Sequence, residues 1–251
     1  MPRFIIPHPD DVADDVRCYY RHARRMPEPV VELGVAHGRY TLTLADQQIR
    51  MVAVGEDAGL LQALHAFAQE RHLPVEILTA AWETVRLPFR PGMLFLPEGR
   101  LARLLTYEAV MRFLRHVHGL LQVGGKFMFD LPLPDMHAIA PYLLPTGQTL
   151  IWRESTPLDD GGVRHVWERR AYDVVAQIET RHIVEEEVDA EGFTRTRRHR
   201  MEQRGWFWPR EVRAMLEATG FFIEAVYGGF NDEPLTDASP VQVWVVRKPA
   251  A

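Results

Sequence analysis

The spacing of apolar residues changes twice along the chain, near residue 149 and again near residue 208. Up to about residue 148, short continuous apolar runs alternate with segments whose apolar positions recur at helical spacing, and from about 149 the spacing drops to two. The first regime predicts a helix over 10–26, where acids lead, bases trail and Pro27 follows. "PVVELG" then reads as a buried strand ended by glycine, "RYTLTLADQQ" as a helix, and "IRMVAVGED" as a second strand. "GLLQALHAFAQERH" carries Leu60, Leu61, Leu64, Phe67 and Ala68 on one helical face, and "PVEILTA" is a third strand. The order βαβαβ signals a parallel sheet covered by helices. "GMLFLP" predicts a fourth strand, "TYEAVMRFLRHVHGLL" a helix with Thr106 as N-cap, and "VGGKFMFDLPLP" a fifth strand after a Gly-Gly turn.

The second regime holds four alternating segments, "TLIWREST", "VRHVWERRAYD", "QIETRHIVEEEVD" and "FTRTRRHRMEQRGWF", which predict an antiparallel meander. "PREVRAMLEATG" restores a helix with Pro209 at its start and Gly220 past its end, and "FFIEAVYGG" and "VQVWVVRK" supply two final strands. The expected organisation is an α/β core over 1–148, an inserted meander over 149–207 acting as substrate lid or dimerisation element, and a completion of the core over 208–251.

Composition narrows the class. The chain has 251 residues, 47% hydrophobic and 25% charged, which fits a globular protein with a real core and not a disordered or membrane-spanning one. The opening "MPRFIIPHPDD" lacks the form of a secretory signal, so the expectation is a cytoplasmic protein. A formal charge of −5 gives no general drive toward nucleic acid. The basic "RTRRHR" faces the acidic "EEEVDAE" across a short turn, so cross-strand pairing accounts for it. Cys18 is the single cysteine and makes no thiolate site alone, and the histidines are scattered, so no metal is expected.

Two features carry candidate chemistry. The loop Gly34-Val35-Ala36-His37-Gly38 joins a strand to a helix, where backbone N–H groups and a helix N-terminus can hold a polar ligand. It lacks the GK[ST] of a phosphate-binding P-loop and the spacing of a dinucleotide fingerprint. Glu56 ends the second strand, at the carboxyl edge where a carboxylate can accept both hydroxyls of a ribose.

"PVVELGVAHGRYTLTLA", "VAVGEDAGLLQAL", "PVEILTAAWETV", "MLFLPEGRLARLLT", "LLQVGGKFMFDL" and "WFWPREVRAMLEATGFFIEAVYGGF", in this order, resemble the class I S-adenosylmethionine-dependent methyltransferases, closest to small-molecule enzymes with a late β-meander. The resemblance implies a Rossmann-like α/β fold, a seven-stranded, mostly parallel sheet with one antiparallel strand and helices on both faces. It implies S-adenosylmethionine as cofactor, with Glu32, Gly34, Ala36 and Gly38 around its methionine part, Glu56 on the ribose, and Leu61, Ala81, Trp82 and Leu96 on the remaining walls. Tyr19 matches a tyrosine that closes over the methyl donor.

Departures from the family pattern shape the functional expectation. Ala36 stands where a glycine is usual, and its Cβ is expected to crowd the ligand or to need a torsion that glycine adopts easily. Ala81 stands where an acid often reads the adenine amino group. Arg100 and Arg103 occupy positions near the substrate, and neither can act as a base; Glu98 is the expected counter-charge. Trp152 and Trp208 are candidate substrate contacts with them. The expectation is methyl transfer to a small-molecule acceptor, an amine before a hydroxyl because a neutral amine needs no base. The alternative is a catalytically inactive relative that serves as a binding or assembly partner. A homodimer through the meander edge is the expected form of self-association.

Overall fold

The computed structural model describes residues 4–143 and 149–250, so the expected core boundary at 148 lies outside the described residues. A short 3-10 turn, Pro9–Asp11, leads into α1 (Asp14–Ala23), β1 (Val30–Leu33), α2 (Arg39–Asp46), β2 (Met51–Gly55), α3 (Ala58–Glu70) and β3 (Val75–Thr79). Next come β4 (Met93–Leu96), a 3-10 turn at Arg100–Arg103, α4 (Tyr107–Leu120), β5 (Lys126–Pro132) and the single turn α5 (Met136–Ile139). The meander is β6 (Ile151–Pro157), β7 (Val163–Asp173), β8 (Ile178–Val188) and β9 (Thr194–Gly205), followed by α6 (Pro209–Ala218), β10 (Phe222–Tyr227) and β11 (Val241–Arg247). The leading helix starts at Asp14, later than the pattern suggested, because Asp14 and Asp15 supply the acidic first turn and the preceding acids lie in or beside the 3-10 turn.

The chain divides into two compact units, the first taking in Met1–Leu101, Tyr107–Leu133 and Trp208–Ala251, the second Ala102–Thr106 and Pro134–Phe207. The first is built on a seven-stranded sheet in the order β10-β11-β5-β4-β1-β2-β3. All neighbours in it are parallel except β11, which runs antiparallel to both β10 and β5. β1, β2 and β4 are buried along their whole length, which explains why they read as continuous apolar runs and not as alternating ones. In α4 the stripe Val110, Phe113, Leu114 and Val117 is buried, as its spacing predicts.

The second unit holds the four-stranded antiparallel sheet β6-β7-β8-β9. Its register sets Arg197 opposite Glu186 and Arg198 opposite Glu185, the pairing expected of the basic and acidic runs. The sheet also buries one acid the pattern did not single out. Glu168 on β7 is 3% exposed and takes hydrogen bonds from Arg153, Arg170 and Arg181. Burial opposes its charge, but the Arg181 and Arg170 hydrogen bonds outweigh that and hold its pKa at about 2. Among the described residues no helix is long and apolar enough to cross a membrane.

Candidate functional site

Strand order reverses between β1 and β4, whose carboxyl ends open on the crevice where ligands of doubly wound sheets bind. The loop after β1 shapes one wall. Gly34 has φ +73° and Gly38 φ +68°, a left-handed backbone that glycine adopts without strain. A Cβ on Gly38 would also run into Leu64, and Gly38 opens α2. Ala36 is not among the residues with positive φ, so the torsion expected to trouble it is not required; the loop places its two left-handed positions on glycines.

Glu32, next to the loop, is 2% exposed. Its Oε2 accepts both the Thr41 backbone N–H at 2.9 Å and the Thr41 hydroxyl at 2.5 Å. Burial raises its pKa to about 7, against the opposing pull of Thr41, and the Glu98 charge adds to the rise.

The opposite wall is the turn after β4, held by an acid that sequence reasoning missed. Asp130 of β5 is 6% exposed and accepts from Glu98 N–H at 3.0 Å, Gly99 N–H at 2.9 Å and the Tyr19 hydroxyl at 2.7 Å. Glu98 and Gly99 both have positive φ, a conformation that presents their N–H groups to one carboxylate. Burial raises Asp130 to about 6, with its three donors pulling the other way. A lone acid inside "FMFDLP" was the available signal. Tyr19 is fully buried between Tyr40 and Phe95, at ring distances of 5.4 and 5.0 Å, and anchors Asp130.

An ion chain lies along this edge. Asp15 pairs with Arg39, Arg39 reaches Glu98 at 3.2 Å, and Glu98 holds Arg100 at 3.2 Å, the counter-charge expected of it. The Arg100 stem lies over Gly34, its Cδ 2.9 Å from where a Cβ would stand, and Trp82 Cδ1 is 3.4 Å from the same point. Trp82 is buried edge-on against Phe113 at 4.9 Å. Glu32, Gly34, Trp82, Glu98 and Arg100 therefore come together.

Glu56 is exposed at the end of β2 and makes no hydrogen bond or ion pair among the described residues, whereas its neighbour Asp57 caps α3 through Leu60 N–H at 2.9 Å. Leu61 is fully buried against Gly55, Leu96 is fully buried in β4, and Ala81 is exposed. Arg103 is exposed and, with Trp152, belongs to the second unit. Trp152 is 53% exposed, its indole N–H donating to Ser155, and Trp208 in the first unit is 39% exposed. Among the described residues Cys18, His22 and Asp232 are the one group close enough to share a metal ion, but Asp232 already pairs with Arg21 at 3.1 Å and burial pushes the Cys18 thiol up to about 12.

No protein-family model matches the chain, and no curated protein matches it in sequence. Solved structures do match in fold. The CcbJ methyltransferase from Streptomyces caelestis aligns with TM-score 0.73 and 22% identity over 97% of this chain and 93% of that one. An S-adenosylmethionine-dependent methyltransferase from Clostridium acetobutylicum aligns with TM-score 0.75 and 11% identity over 96% and 94%. A sugar N-methyltransferase from a Streptoalloteichus species aligns with TM-score 0.65 and 16% identity over 92% and 85%. The chain has the class I methyltransferase fold, with a four-stranded antiparallel sheet inserted in sequence between its fifth strand and its last helix.

Proposed function

We propose that the chain binds S-adenosylmethionine at the β1/β4 crevice and transfers its methyl group to an amine on a small molecule. The observation that carries this reading is the free Glu56 carboxylate at the end of β2, beside a loop with left-handed glycines at both ends. The residues suit the group: two buried acids with raised pKa, Glu32 and Asp130, favour a cationic ligand, which would draw them into their charged form. In this reading Glu32, Gly34, Ala36 and Gly38 surround the methionine part and Glu56 takes the ribose hydroxyls. Trp82, Leu61 and Leu96 back the site, Ala81 lines its rim, and Tyr19 fixes the crevice through Asp130.

The cofactor supplies an electrophilic methyl group. The chain's part is to orient the acceptor in line and exclude water, with Arg100 and Trp208 of the first unit as its substrate contacts. A neutral amine can attack without a base, and a sugar N-methyltransferase is among the structures of the same fold. Incubation of the protein with methyl-labelled S-adenosylmethionine and a panel of amino sugars and their hydroxy analogues tests the reading. Label appearing on nitrogen supports it, whereas cofactor binding without label on any amine counts against it. In the same spirit a homodimer would pair the outer strand β6, since five arginines on β9, Arg195, Arg197, Arg198, Arg200 and Arg204, oppose self-pairing there.

A second reading, an inactive relative acting as a binding partner, is favoured by the Arg100 stem lying over Gly34. It predicts that S-adenosylmethionine and its demethylated product bind no better than adenosine.

A further inference from the structure

Arg100 is the only arginine or lysine among the described residues that is buried. Its stem rests on the backbone of Gly34, and only a residue without a Cβ leaves room for it there. One end of the guanidinium is used, since Nη2 donates to Glu98 Oε2 at 3.2 Å. The Nε–H is not: that atom is shut off from solvent and has no hydrogen-bond partner among the described residues. Leaving such a donor unmet is costly, so its persistence beside the β1 and β4 carboxyl ends calls for an occupant.

The chemistry of the occupant follows from the donor. A guanidinium offers N–H groups in a planar fork and accepts nothing, so the matching ligand group is an anion with coplanar oxygens. The surrounding charges do not fill the role. Glu98 divides its two oxygens between Arg39 and Arg100, and Asp15 is spent on Arg39. Glu32 is turned to Thr41, and Asp130 to Tyr19, Glu98 and Gly99.

We infer that Arg100 is a carboxylate-binding residue, receiving a ligand carboxylate on its Nε edge above Gly34. The inference rests on the cofactor reading above and deepens it. Two molecules bring that chemistry to this place, the cofactor through its own α-carboxylate and an acceptor that carries a carboxylate. Glu98 then acts as a positioning residue, holding Nη2 and so fixing the guanidinium over Gly34.

The test uses the full chain as wild type, Arg100→Met and Arg100→Lys. Each is titrated calorimetrically with S-adenosylhomocysteine and with 5′-methylthioadenosine, which shares the adenosine and sulfur but lacks the amino-acid carboxylate. Acetate is then titrated into the S-adenosylhomocysteine-saturated protein against chloride at equal ionic strength. If the carboxylate is the cofactor's, R100M and R100K weaken S-adenosylhomocysteine by about ten- to a hundredfold and leave 5′-methylthioadenosine within about twofold of wild type. If it is the acceptor's, S-adenosylhomocysteine is unchanged in the variants and acetate binds only the wild type. Unchanged S-adenosylhomocysteine affinity with no Arg100-dependent acetate binding overturns the inference, as does equal loss of both nucleosides in both variants, which marks a structural role. Wild type that binds neither nucleoside overturns the cofactor reading and this inference with it, so the two failures are told apart by the wild type alone.

Discussion

Glu32 buried at a pKa of about 7 predicts that the unliganded fold is destabilised by its own site. A glutamate ionises at 4.5 when exposed, and a rise from 4.5 to about 7 at about 1.4 kcal/mol per tenfold comes to about 3 kcal/mol. The sign follows from proton uptake. Below pH 4.5 both folded and unfolded chains hold the proton and the group is neutral in its effect. Between 4.5 and about 7 the folded chain holds more protons, so stability falls as pH rises, and above about 7 the whole cost is present. Glu32→Gln removes the buried charge without removing its hydrogen bonds, because both Thr41 donors land on the single oxygen Oε2, whose place an amide carbonyl can take. The variant is therefore expected to be more stable than wild type by about 3 kcal/mol at pH 8, a rise in melting temperature of about 6 °C for a chain of this length, and by less than about 1 kcal/mol at pH 5. Calorimetric melting at the two pH values checks it. Equal destabilisation of E32Q at both would refute the reasoning, since it would mean that the glutamate is held for its packing and not at a cost in charge. E32Q is also expected to bind S-adenosylmethionine more weakly, the exchange of stability for function common at binding sites.

Gly38→Ala is expected to cost about 2 to 4 kcal/mol, from the left-handed torsion and the collision with Leu64, and urea midpoints measure it. Tyr19→Phe removes one of three donors to Asp130; the expected loss is about 1 to 2 kcal/mol, with the Asp130 pKa moving above its present value of about 6, read by carboxyl NMR titration. Glu168→Gln leaves Arg153, Arg170 and Arg181 facing a neutral amide in the meander, at about 2 to 3 kcal/mol once their partial exposure is allowed for. Because the folded pKa of Glu168 is depressed to about 2, that difference is full above about 4.5 and shrinks as pH falls toward 2, which denaturation at pH 7 and pH 3 resolves.

Periodicity carried most of the architecture. The change from helical spacing to a period of two marked the meander, and continuous apolar runs marked the central strands, because burial on both faces leaves no polar side to alternate. The glycine loop was legible as a turn but its torsions were not. Only the backbone reveals that Gly34 and Gly38 take the positive φ and that Ala36 sits at an ordinary one. Long-range partners were illegible for a similar reason. Asp130 and Tyr19 are 111 residues apart in the chain, and no local pattern ties a phenol on the first helix to an acid on the fifth strand. The Arg100–Glu98 pair was within reach of a sequence reading because the two are neighbours, whereas the contact of Arg100 with Gly34 required β1 and β4 to lie side by side. Glu168 was hidden because an acid in an alternating strand reads as solvent-facing until its arginines are found on three different strands.

The most direct test of the central claim is a thermal and calorimetric titration with S-adenosylmethionine and S-adenosylhomocysteine, run on wild type and Glu56→Ala. At a hundred times its dissociation constant a ligand adds about 2.7 kcal/mol, so wild type is expected to melt about 5 °C higher in either ligand, and Glu56→Ala to show little or none of that shift at the same concentration. A wild-type melt that neither ligand moves at millimolar concentration would contradict the account.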